Sequence, residues 1–293
     1  MLKAGKKMPE LPEVETTVKG LRKTIVGLKI KDVWTDLSTK DKRQKETVAN
    51  PKFFTVFRKE VSGKKILSVE RRAKNILINI SGGRTILIHL KMTGHLLYGE
   101  YKKDPVNRFI HFAITFTNRE KLYFSDMRKF GKITLLDTKT AHDTKHLNNI
   151  GPEPLEKMFN LKMFKERLSK KRGGKTKTVL MDQSIIAGIG NIYSDEILWR
   201  AGVNPERKVS KLREIEIKLM FKAIKKILSK GIDFGGDSMS DYRNIHGLPG
   251  RFQLHHQAYQ RTGEKCRKPK CKGIILRKVI NDRSAHFCSI HQK

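Results

Sequence analysis

Three cysteines and a histidine within the last 28 residues constrain the fold of this chain more tightly than any hydrophobic pattern in it. Cys266 and Cys271 are separated by four residues, Cys271 and Cys288 by sixteen, and Cys288 and His291 by two. An odd number of cysteines leaves a thiol over in any disulfide framework, whereas three thiolates and one imidazole complete a tetrahedral set for one zinc ion. Turn formers stand beside the ligands in Cys266-Arg267-Lys268-Pro269-Lys270-Cys271-Lys272-Gly273, and Ile274-Ile275-Leu276 with Phe287 can form two short strands between them. Four protein ligands leave no open position for water, so the metal is expected to be structural and to shape a hairpin. His286 is an alternative to His291 as the fourth ligand.

The rest of the chain points to a polyanionic partner. Its 293 residues carry 63 Lys and Arg against 29 Asp and Glu, a net charge of +34 spread along the sequence. Such an excess fits ribosomal proteins, nucleases and glycosylases equally well; it names a substrate class and no reaction. The length suffices for two modest cores. No apolar run is long enough to cross a bilayer, and residues 1–7 lack the apolar centre of a signal peptide. These features predict a soluble intracellular protein in a reducing compartment; a monomer in the bacterial cytoplasm, associated with the nucleoid when at work, is a further expectation that goes beyond them.

Periodicity divides the chain. Pro12 suits a first helical turn, Glu13 and Glu15 suit its positive end, and Val14, Val18, Leu21 and Ile25 recur at three- and four-residue spacing, which predicts a helix over about 12–26. Short β-type runs follow at 30–34, 53–57, 66–69, 75–80 and 85–90. Ile110, Phe112, Ile114 and Phe116 alternate with smaller or polar residues as a half-buried strand does, and 118–119 turn the chain into 122–124. Periodicity is lost from Leu136 to Asn149. Helical patterns return at 155–170, 191–201 and 210–229, the last with Ile215, Leu219, Ala223, Ile227 and Leu228 as its apolar face. The expected organisation is an N-terminal extension (1–7), a β-sandwich domain with a leading helix (8–138), a linker (139–154), a helical domain (155–250) and a zinc ribbon (251–293), an α+β chain overall.

Two stretches carry chemistry. In Met8-Pro9-Glu10-Leu11-Pro12-Glu13-Val14-Glu15-Thr16-Thr17, removal of Met8 would leave Pro9 with a free secondary amine. An α-amino group titrates near about 8, against about 10.4 for a lysine, so a usable fraction is unprotonated at neutral pH. Attack of a secondary amine on a sugar C1′ yields an iminium ion, an electron sink. A prolyl turn into a surface helix is the plain alternative. In Met181 to Tyr193, Gly188 and Gly190 permit close backbone approach and Asn191 opens a helix whose positive end can hold a phosphate; a capped turn between helices reads equally well.

Both stretches resemble the formamidopyrimidine-DNA glycosylase family, whose members open on a catalytic proline, contain a helix-two-turn-helix motif at the second stretch and end in a zinc ribbon with the same sixteen-residue gap. The resemblance runs from Met8 to the carboxyl end. It departs from the usual four-cysteine ribbon in its longer first spacing and in His291. By this resemblance the C-terminal half is a helix-two-turn-helix domain with a zinc ribbon, and the substrate is double-stranded DNA containing oxidised bases. It implies that Pro9 is the nucleophile and that Glu10 protonates the deoxyribose ring oxygen, Glu13 being the weaker candidate. Lys74 matches a lysine that binds a phosphate beside the lesion, while Lys177, Asn191 and Arg283 match residues that grip backbone. Met92, Arg128 and Phe130 match residues that fill the gap left by the flipped nucleotide, with the arginine facing the orphaned cytosine. The Arg128/Phe130 pair and the N-terminal motif separate the chain from the endonuclease VIII branch, which removes oxidised pyrimidines. Gly235 to Tyr242 resembles the loop that covers the flipped base. The implied activity is excision of 8-oxoguanine and formamidopyrimidines followed by β,δ-elimination. Retention of residues 1–7 would instead imply a non-catalytic damage-binding protein, and an RNA-binding zinc ribbon would explain the charge but not the N-terminal motif.

Overall fold

Paired carboxylates start the first helix. In α1 (Leu11–Thr24) Glu10 is the N-cap in extended conformation, and Glu10 and Glu13 exchange side-chain to backbone hydrogen bonds in a capping box. Val14, Val18, Leu21 and Ile25 are fully buried, as their spacing predicts. The computed structural model describes residues 8–39, 41, 44–239 and 241–293; the expected extension at residues 1–7 lies outside them.

Contacts group the chain into two units. The first runs to Asn148 and includes Phe234–Arg251; the second is Asn149–Asp233 with Phe252–Lys293. The segment 234–251, expected from composition to belong with the helices before it, thus packs with the first unit. Its Ile245 accounts for this: it is buried in the core of that unit, and its carbonyl accepts the Tyr98 N–H at 2.8 Å.

The first unit is a sandwich of two antiparallel sheets. β1 (Ile30–Thr35), β6 (Ile110–Phe116), β7 (Lys121–Ser125) and β5 (His95–Tyr98) lie in that order in one sheet, and β2 (Ile66–Arg72), β3 (Asn75–Ile80), β4 (Arg84–His89) and β8 (Lys132–Asp137) in the other. One apolar cluster draws on both, including Phe112, Ile114 and Phe124 from the first and Ile76, Ile78 and Ile88 from the second. Each such side chain contributes roughly 1.5–3 kcal/mol by burial. The apolar run at 53–57 is not a strand but part of α2 (Pro51–Val61). Local chemistry overrides β propensity there: Asn50 Oδ1 accepts the Phe53 N–H at 3.0 Å, Pro51 occupies the first turn, and Phe57 and Val61 fall one turn apart on the buried face.

The second unit holds α3 (Leu161–Ser169), α4 (Thr176–Met181), α5 (Asn191–Ala201), α6 (Glu214–Asp233) and the hairpin β9 (Ile275–Ile280) and β10 (Arg283–Cys288). The helix expected from 155 starts later because Asn160 caps it, accepting from the Met163 N–H at 2.9 Å. On α6 the buried stripe is Met220, Ala223, Ile224, Ile227 and Leu228; Ile215 and Leu219 are exposed at 55% and 43%, so the face is rotated from the one expected. The seven-residue step from Met220 to Ile227 follows the helical repeat, and Glu216 joins the buried face because its carboxylate is paired with Arg207 and Arg213.

Candidate nucleic-acid interface and metal centre

Pro9 and Glu10 are buried at the start of α1. Glu13 ties this corner together: its Oε2 accepts the Glu10 N–H at 2.7 Å and its Oε1 the Asp237 N–H at 2.7 Å, while its carbonyl accepts the buried Tyr242 hydroxyl at 2.9 Å. The loop matched to base covering is thereby fastened to the first turn of the helix that carries Pro9. Gly236 makes this possible, since it sits at φ +86° and a Cβ there would meet Glu13 Oε1 at 2.9 Å. Sequence reasoning ranked Glu13 second as an acid and missed its tethering role, because the partner lies 224 residues away.

Met92, Arg128 and Phe130 come together at one turn pair. The Arg128 guanidinium lies 4.6 Å from the Phe130 ring centroid, and its Nη1 donates to Met92 Sδ at 3.1 Å. Phe130 is 47% exposed, against the core position its type alone would suggest. Buried Asp126 builds the turn, accepting the Thr93 hydroxyl, the Arg128 N–H at 3.2 Å and the Gly131 N–H at 2.7 Å. A carboxylate holding backbone donors in place presents an exposed ring with a half-buried cation against it, an arrangement suited to wedging.

Lys74 stands half-buried between β2 and β3. Across the sheet Asn75 pairs with His89 and His89 with Lys132, so cations line one end of β3, β4 and β8. Burial, then Lys91 and Lys74, push the His89 imidazole down to about 3, which keeps it neutral at physiological pH. Its Nδ1 accepts the Lys91 N–H at 2.9 Å.

In the second unit, Asn191 opens α5 behind Gly188, which sits at φ +83°. Its Nδ2 donates to Ser284 Oγ at 3.2 Å while its Oδ1 is buried without a partner among the described residues. Turning the amide over would let the carbonyl accept the Ser284 hydroxyl and free two N–H donors, which an anion would satisfy. Arg283 is exposed at the start of β10, after a turn in which Asn281 and Asp282 are both left-handed. Arg283 and Lys177 line one groove of about 310 Å³. Lys177, matched by the resemblance to a residue that grips backbone, is buried. Its side chain is 1% exposed, with Nζ bound to Asp195 and to the Asn191 carbonyl at 3.2 Å. Asp195, fully buried, also accepts the His286 backbone N–H and Nδ1, each at 2.9 Å. One carboxylate thus joins α4, α5 and β10, and the only sequence signal for it is that Asp195 follows Asn191 at helical spacing.

Cys266, Cys271, Cys288 and His291 form the metal centre, their ligand atoms all within 4.8 Å of one another. Cys271 and Cys288 Sγ are 3.6 Å apart, and Cys266 Sγ lies 3.3 Å from His291 Nδ1. Those are edges of a tetrahedron with bonds of about 2.0–2.3 Å, as for zinc. His291 Nε2 lies 2.9 Å from the Trp199 carbonyl, an acceptor that fixes the proton there and leaves the Nδ1 lone pair facing the sulfurs. Backbone N–H groups of Lys268, Gly273 and Ile290 each point at a thiol at 3.4 Å, stabilising thiolate. The donors fit one structural zinc ion. His286, engaged by Asp195, is not a ligand.

Two family models match the chain, and they part near residue 149, where the first unit gives way to the second. The model of the formamidopyrimidine-DNA glycosylase N-terminal domain matches residues 8–133, and that of the formamidopyrimidine-DNA glycosylase H2TH domain matches 150–243. A formamidopyrimidine-DNA glycosylase from Pelotomaculum thermopropionicum is 39% identical over 286 residues, covering 98% of this chain and 99% of its own; one from Herpetosiphon aurantiacus is 38% identical, covering 97% and 100%. Among solved structures, Lactococcus lactis Fpg in complex with DNA containing an abasic site is 34% identical with a TM-score of 0.83, covering 97% of this chain and 99% of its own. A mutant of the same protein in complex with DNA containing Fapy-dG gives 0.84.

Proposed function

The chain belongs to the formamidopyrimidine-DNA glycosylase family and is a base-excision repair DNA glycosylase and abasic-site lyase, and from that premise we propose that Pro9 is its nucleophile and Glu10 its acid. With Met8 removed, the Pro9 amine attacks C1′ of the damaged nucleotide while Glu10 delivers a proton to the ring oxygen, O4′. The C1′–O4′ bond opens, the oxidised purine leaves, and the resulting iminium acidifies the C2′ protons so that β- and then δ-elimination cut the strand. The observation that carries this reading is the corner itself. Pro9 and Glu10 are buried together at the head of α1, and Glu13 binds that head to the loop matched to base covering.

Arg128 takes the space of the extruded nucleotide and reads the base left behind, with Met92 and Phe130 restoring part of the lost stacking. Lys74, Asn191 and Arg283 bind backbone, and Lys177 acts from within the same groove as Arg283. One zinc ion holds the β9–β10 hairpin that presents Arg283. The enzyme works as a monomer on duplex DNA in the cytoplasm. Excision assayed side by side on duplexes carrying 8-oxoguanine opposite cytosine and an oxidised pyrimidine opposite its partner tests the reading. Preference for the purine supports it, and preference for the pyrimidine assigns the chain to endonuclease VIII chemistry.

A further inference from the structure

Beside the Arg128 wedge the first unit holds a cleft whose lysines, Lys91 and Lys132, have no role above. It encloses about 630 Å³ and is lined by Lys91, Lys132, Arg128 and Phe130 and by Asp36 and Asp41. The sheet register explains the cationic lining: His89 on β4 pairs with Lys132 at the start of β8, Asn75 on β3 pairs with His89, and Lys91 follows two residues after His89. The row therefore runs from Lys74 across three strands to the turn that carries Arg128.

Holding these lysines together works against stability. Lys91 sits at φ +56°, a conformation that lysine seldom adopts, and its ammonium has no acidic partner among the described residues. Burial, and then Lys132, lower its pKa, so both desolvation and a like charge oppose it. Of the two carboxylates that line the cleft, Asp36 is engaged by His111 Nδ1 at 2.9 Å. A strained, half-desolvated cation beside a second cation is the arrangement an anion relieves.

We propose that Lys91 and Lys132 form a second phosphate-binding site, separate from that of Lys74, which holds a backbone phosphate of the DNA beside the Arg128 wedge. Asp36 and Asp41, which line the same cleft, repel the phosphate and so restrict its position. The inference rests on the DNA-binding reading above, and its test measures binding alone, so loss of glycosylase activity and loss of this site are read separately. Both strands supply phosphates, and the experiment distinguishes them.

Affinity would be measured for duplexes with a tetrahydrofuran abasic analogue and a single neutral methylphosphonate moved stepwise along each strand. The intact protein should lose affinity at one position where Lys91→Met/Lys132→Met loses none further, and that position should differ from the one silenced in Lys74→Met. The strand carrying it identifies the source of the phosphate. The double variant should also show a slope of log affinity against log salt shallower by about 1, with Lys132→Arg retaining the full slope. Equal further losses at every position, or silencing at the Lys74 position, would overturn the proposal. Zinc content and melting temperature equal to the parent's certify that the variants are folded.

Discussion

Replacing Asp195 by alanine measures what one buried carboxylate does for the second unit. The side chains of Asp195 and Lys177 are 0% and 1% exposed, so the variant takes from a buried ammonium the carboxylate it is paired with. Breaking such a pair from one side costs about 3–5 kcal/mol. The His286 backbone N–H also loses its acceptor, at about 1–3 kcal/mol for an unsatisfied buried donor. The two losses share one partner and do not simply add, so the expectation is about 4–6 kcal/mol, a large share of the roughly 5–15 kcal/mol that stabilises a folded domain. Adding Lys177→Met removes the stranded charge and should recover more than half of the loss. The assay is urea unfolding followed by tryptophan fluorescence in a Trp34→Phe background. The chain has two tryptophans, and Trp199 packs with Cys266 and Cys288, so its signal belongs to the second unit. A loss below about 1 kcal/mol, or no recovery in the double variant, would refute the argument that Lys177 is charged and held by Asp195.

Three further outcomes are expected. Glu10→Gln should reduce base excision by about 10²–10⁴-fold while duplex binding stays within a few-fold of the parent, as measured by single-turnover cleavage and by titration; full excision would remove Glu10 from the chemistry. Arg128→Ala should lower the preference for cytosine over adenine opposite 8-oxoguanine by about 1–3 kcal/mol, the value of one good base contact, whereas Asn191→Ala should weaken binding to every duplex alike. Cys288→Ser should lose zinc by metal analysis and weaken DNA binding, since Cys288 is fully buried in the cluster that organises the hairpin; unchanged zinc content would displace it from the site.

What was legible in the sequence was local. The α1 stripe, the alternation of β6 and the opening of α5 at Asn191 follow from spacing a few residues long, and the structure places them as read; across a sixteen-residue gap it also brings Cys266, Cys271, Cys288 and His291 together. Misreadings arose where a cap outweighed a pattern. Asn50 and Pro51 turn an apolar, aromatic run into α2, and Asn160 delays α3. Long-range polar pairing was the least legible part. Nothing in the sequence marks Lys177 as buried, and only folding shows Asp195 paired with it, just as only folding brings Asp237 and Tyr242 to Glu13. Residues such as Phe130, apolar by type and exposed in place, depart from the core expectation because Asp126 shapes a turn that no periodicity describes.

The identity of the nucleophile is the central claim, and reductive trapping tests it most directly. Protein made from its native gene would be mixed with a duplex carrying 8-oxoguanine opposite cytosine in the presence of borohydride, and the cross-linked species digested and mapped by mass spectrometry. The expected product is a chain that begins at Pro9 and carries the reduced sugar on its terminal nitrogen. An adduct on a lysine Nζ, or on a chain that retains residues 1–7, would contradict it.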